Sequence, residues 1–103
     1  MKVDEYLSKV CLLYCENTGK VSKPEMKDLI VSSIGDDTNT DILLVKSKEI
    51  VSFSIDEIHR AQSESLPWES TVKPIIKRSY PVLSDEAIAK VFDYANFCVA
   101  KGC

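Results

Sequence analysis

The stretch that decides the fold is the last one, residues 84–102: SDEAIAKVFDYANFCVAKG. Ser84 carries a hydroxyl that accepts a hydrogen bond from a backbone N–H with no partner inside a helix. Asp85 and Glu86 follow, placing negative charge at the positive end of the helix dipole. Ile88, Val91, Phe92, Ala95, Cys98 and Val99 then recur at the three-and-four spacing of one helical face. Lys101 closes the last turn, and Gly102 supplies the left-handed residue that ends many helices. Phe97 lies off that face and needs a cover from another element or from a partner.

Outward from this helix, the rest of the chain carries further helix signals. Val3 to Glu16 predicts a helix with Val3, Tyr6, Leu7, Val10, Cys11 and Tyr14 on one stripe and Leu12 off it. Ser22-Lys23-Pro24-Glu25 is a capping box with proline in the first turn. It predicts a helix to Ile34, with Met26, Leu29 and Ile30 inward and Gly35 at its end. The two helices are expected to pack as an antiparallel pair. Asp36 to Asp41 is a polar loop. Asn39 or Thr40 caps a third helix from Asp41 to about Glu49. Consecutive apolar residues at Ile42–Val45 and the β-prone Ile50–Phe53 leave a short hairpin near 42–53 as the alternative. Ser54-Ile55-Asp56-Glu57 reads as a second capping box, starting a helix from Ile55 to Glu64 that Leu66-Pro67-Trp68 breaks. Between Trp68 and Ser79, Val72, Ile75 and Ile76 have helical spacing around Pro74. That stretch is either a turn leading into a helix or one kinked helix. The expected fold is all-α: a bundle of about five to seven helices in a single domain spanning residues 1–103.

Composition narrows the function. The chain is 45% hydrophobic and 28% charged, values of a globular domain rather than a disordered one. Lys2, Asp4 and Glu5 stand where an apolar leader would begin. The longest apolar run, Val10 to Cys15, is far short of the ~20 residues that cross a bilayer. A soluble cytoplasmic protein with no membrane partner is expected. Four cysteines, three of them inside predicted helices, read as reduced, mostly buried thiols. The net charge of −3 makes a nucleic-acid partner unlikely and suits a basic protein partner.

No catalytic set converges. The three glycines, Gly19, Gly35 and Gly102, are isolated, so no phosphate loop forms. No Gly-x-Ser-x-Gly elbow surrounds any serine. Asp37, Asn39 and Asp41 match the opening ligands of a calcium loop. Ile42 and Lys48 then stand where that loop needs its glycine and its closing glutamate. Cys11 and Cys15 have a spacing that two metal ligands on a helix would use, and Asp56 stands one turn before His59, the lone histidine. Further metal ligands would have to come from Cys98, Cys103 or His59, and a cysteine partner for His59 from the fold; no local signature marks either site. No enzyme activity, metal or cofactor is expected. Lys73, Lys77 and Arg78, between Trp68 and Tyr80, form a small basic patch that nucleic acid would use. The acids are more numerous. Asp36, Asp37, Asp41, Asp56, Glu57, Glu64 and Glu69, with Trp68 among them, form the candidate partner-binding set, an aromatic anchor ringed by carboxylates.

In size, acidity and helical character the chain resembles the immunity proteins of colicin-type and contact-dependent inhibition systems. No motif contributes to that resemblance. It implies a protein that binds a bacterial toxin, such as a basic nuclease domain, and covers its active site with acids. The alternative class is a small nucleic-acid-binding or regulatory helical protein.

Overall fold

Five helices follow one another along the described residues, and the third touches all the others. The computed structural model describes residues 3–35 and 39–102. The helices are α1 (Val3–Asn17), α2 (Lys23–Ile34), α3 (Thr40–Ser63), α4 (Trp68–Ser79) and α5 (Asp85–Lys101). No strand occurs among the described residues; Thr18 and Val21 form an isolated bridge in the α1–α2 turn. The fold is an all-α bundle. α5 packs on α1, α3 and α4, while α2 rests on α1 and α3 alone.

The caps read from sequence are formed at α2 and α5, whereas Asn39 precedes α3 without a side-chain cap bond. Ser84 Oγ accepts the Ala87 N–H at 3.1 Å, and Gly102 ends α5 at φ 76°. At the start of α2 the Glu25 N–H donates to Ser22 Oγ and the Ser22 N–H donates to Glu25 Oε1. The Ser22 N–H and hydroxyl hold the Glu25 carboxyl below its ordinary range. The inward face of α5 is as its spacing requires: Ile88, Val91, Phe92, Ala95 and Cys98 are buried. So are Leu7, Val10 and Cys11 of α1, with Leu12 half-buried beside them. In α2, Met26 and Ile30 are buried, but Leu29 is exposed, contrary to its expected inward place.

The largest departure from the sequence reading is α3. Residues 42–53 are helical, so there is no hairpin, and the helices expected over 41–49 and 55–64 are one. The buried stripe runs Thr40, Leu43, Ser47, Ile50, Val51, Ser54, Ile58, Ala61. Its helical period is unbroken, but two of its members are serines, and an apolar count therefore sees a gap. Ser54 is not a cap. Its buried hydroxyl donates to the Ile50 carbonyl at 2.8 Å, inside the helix. Ser47 Oγ lies 3.6 Å from Cys11 Sγ, so its polar atom is also satisfied where α1 crosses.

These environments give opposite expectations for two serines. Ser84→Ala loses a cap and should lower stability by ~1 kcal/mol. Ser54→Ala removes a side chain that already bonds within its own turn, and alanine is the better helix former. Urea midpoints should therefore fall for Ser84→Ala and stay within ~0.5 kcal/mol or rise for Ser54→Ala. A ~1 kcal/mol loss at Ser54 would restore the capping-box reading.

α4 is one helix despite Pro74 inside it. Proline lacks the N–H that would reach the carbonyl four residues back, and exposure of Pro74 and Ser70 lets water meet that carbonyl.

Candidate functional site

The α3–α4 corner is built by a tight helix stop. The Leu66 N–H donates to Ala61 O at 2.9 Å and the Ser65 N–H donates to Gln62 O at 3.1 Å. This double bond pattern closes helices around a left-handed residue. Ser65 holds that position at φ 55°, the one non-glycine residue with positive φ among those described. The conformation costs a residue with a Cβ roughly 1–2 kcal/mol. Pro67 then caps α4 in extended backbone.

The corner projects two apolar side chains into solvent, Leu66 at 40% and Trp68 at 39% exposure. Two carboxylates flank them along the chain, Glu64 at the C-cap of α3 and Glu69 in the first turn of α4. Glu64 Oε2 lies 3.5 Å from Arg60 Nε, and Glu69 Oε2 lies 3.4 Å from Lys73 Nζ. Exposed pairs of this spacing contribute ~0.3–0.5 kcal/mol, little enough for a partner's cations to displace. Asp56 is exposed and makes no ion pair among the described residues. Glu57 is different: its side chain is 16% exposed, and Oε2 is buried without a hydrogen bond, 3.6 Å from Arg60 Nε. It is a supporting residue of the corner rather than part of its outer face.

The sequence-level set therefore does not form one surface. Glu64, Trp68 and Glu69 share the corner, with Asp56 two turns back along α3. Asp41 sits at the other end of α3, ~33 Å away at 1.5 Å per residue, and binds Lys27 at 2.8 Å. Its carboxylate holds the Lys27 ammonium above its ordinary range. Asp36 and Asp37 lie outside the described residues, as does Cys103. What sequence missed at the corner is Leu66 and the strained Ser65; the signal was the Leu-Pro-Trp run, which reads first as a helix break.

The basic patch is largely engaged within the fold. Lys77 Nζ donates to Leu83 O at 2.7 Å. Lys73 pairs with Glu69 and lies 5.5 Å from the Phe92 ring centroid. Arg78 alone of the three makes no such contact among the described residues.

Among the described residues no three His, Cys, Asp or Glu side chains gather into a metal site. Cys11, Cys15 and Cys98 are buried thiols outside any disulfide. Burial pushes the Cys15 thiol up to about 12, helped by the neighbouring Cys11, and burial raises Cys11 against a lowering contact from Ser47. Protonated thiols are poor nucleophiles and poor metal ligands. With Cys103→Ser in place, a thiol reagent at pH 8 should modify the folded protein hardly at all and all three thiols after denaturation. Unfolded, Cys15 ionises near 9.0, and folded only near 12. The unfolded chain sheds the proton first, so stability is full below pH 9 and falls through pH 9–12. The slope from Cys15 reaches ~1.4 kcal/mol per pH unit. Flat stability across that range, or a thiol that reacts rapidly in the folded protein, would contradict this environment.

No helix among the described residues is long and apolar enough to cross a membrane. The geometry defines an all-α bundle with an exposed apolar corner set among carboxylates. No family model matches the chain, and neither a curated protein nor a solved structure matches it.

Proposed function

We propose that this protein is a small cytoplasmic binding module without catalytic activity, and specifically an immunity protein. It would dock the α3–α4 corner onto a basic bacterial toxin domain, such as a nuclease, and cover the active site. One observation carries this reading: Leu66 and Trp68 stand exposed on a corner fixed by a strained residue, with Glu64 and Glu69 beside them. Exposed aromatic anchors on rigid backbone are what interface hot spots are made of. The surrounding carboxylates would steer a basic partner and fix its orientation. The nucleic-acid reading has less to draw on, since Lys73 and Lys77 are held by groups of the fold.

The test is capture of the partner with tagged protein from the native host, followed by a nuclease assay on that partner. A stoichiometric basic partner whose nuclease activity stops on addition of this protein supports the reading. Captured nucleic acid in its place, or a partner whose activity is unaffected, overturns it.

A further inference from the structure

A second surface lies at the other end of α3, away from the corner and of opposite charge. There α1, α2 and α3 border a groove of 520 Å³. Its floor is apolar: Tyr14 from α1, Val21 from the α1–α2 turn, Met26 from α2 and Leu44 from α3. Val45, 64% exposed, lines it as well, and Ile42, three residues before it on α3, is 43% exposed. Lys23 and Lys27 line it on the α2 side and Lys48 on the α3 side, against one acid, Asp41. That acid is already bound to Lys27. Lys23 and Lys48 are exposed and make no ion pair among the described residues.

The lysine excess is local. The chain as a whole has 13 basic against 16 acidic residues. Lys23, at the first position of α2, adds its charge to the positive end of a helix dipole, which is unfavourable for the helix itself. α2 is also the least embedded helix, touching α1 and α3 alone and burying only Met26 and Ile30. A groove with an apolar floor, cationic on both sides and walled by a peripheral helix has the complement of a helix with an apolar ridge and acidic flanks.

We propose that this groove receives an acidic amphipathic helix of a partner protein. Its apolar ridge lies on Tyr14, Met26 and Leu44, and its flanking carboxylates reach Lys23 on one side and Lys48 on the other. A single-headgroup amphiphile would meet the lysines of one side and leave Val45 and Ile42 uncovered. A second copy of this chain is a poor occupant, because its exposed apolar residues beside carboxylates, Leu66 and Trp68, sit at a junction between two helices and form no helical ridge.

The experiment uses two designed peptides, each about 18 residues or five turns long, with the same leucine ridge and either glutamate or lysine flanks. Each is titrated into isotopically labelled protein and followed by amide chemical shifts. The glutamate peptide should bind with Kd on the order of 10 μM and shift Val21, Met26, Leu44 and Val45. Combined Lys23→Glu and Lys48→Glu should weaken it at least tenfold, as should Val45→Glu, which alters no buried residue. Trp68→Ala should leave it unchanged, so this result is independent of the corner. Equal binding by the lysine peptide would overturn the proposal, as would shifts elsewhere or no binding at millimolar peptide. Displacement of the peptide by equimolar dodecanoate, or self-association of the protein through these residues, would also overturn it.

Discussion

Phe92→Ala is expected to lower the free energy of unfolding by ~3–5 kcal/mol. Phe92 is 4% exposed on the helix that packs against α1, α3 and α4 at once. The lost ring would leave a hole in the core that the packed helices close only in part, so transfer and cavity terms add. The ring also sits under the Lys73 ammonium, a contact that alanine cannot make. A domain of this size has ~5–15 kcal/mol in total, so the loss would be a large fraction of it. Phe97→Ala is the control. Phe97 is 52% exposed and stacks on Tyr94, and its truncation should cost less than ~1 kcal/mol. Equal shifts in the urea midpoints of the two variants would mean that α5 is turned differently on its axis.

Ser52→Pro is expected to cost at least ~3 kcal/mol for a different reason. Ser52 is exposed, so no packing is lost with its hydroxyl. It lies in the middle of α3, where proline removes the N–H that bonds the Lys48 carbonyl and drives its ring against that carbonyl. Because α3 touches every other helix, a kink there displaces the whole bundle. Were this region two helices meeting before a cap at Ser54, residue 52 would lie in the junction, where proline is tolerated. Circular dichroism and urea denaturation separate the cases: a stability change under ~1 kcal/mol would contradict a continuous α3.

That contrast also locates what sequence reading can and cannot reach. α2 and α5 were legible because their ends are written in short-range chemistry: Ser22 with Glu25, Gly35, Ser84, Gly102. α3 was not, because Ser47 and Ser54 occupy core positions, where one hydroxyl meets Cys11 of α1 and the other the Ile50 carbonyl of its own helix. The Ser-x-x-Glu pattern at 54–57 then looked like a start signal, although Ser54 bonds backward to Ile50 rather than forward. Leu29 has inward spacing, yet the peripheral place of α2 leaves nothing to cover it. For the site, the chain showed which residues are acidic but not how far apart a single long helix would set Asp41 and Glu64. The groove was illegible for a related reason: its lining comes from three helices and a turn, and no local window contains it.

The most direct measurement is the affinity of the captured basic partner for three forms of the protein: wild type, Trp68→Ala, and Glu64→Lys combined with Glu69→Lys. These residues are exposed, so folding should be retained, as circular dichroism would verify. The corner reading predicts at least a tenfold rise in Kd for Trp68→Ala, about 1.4 kcal/mol. For the charge reversals it predicts slower association that loses its salt dependence. Wild-type affinity in both variants would contradict the corner as the working surface.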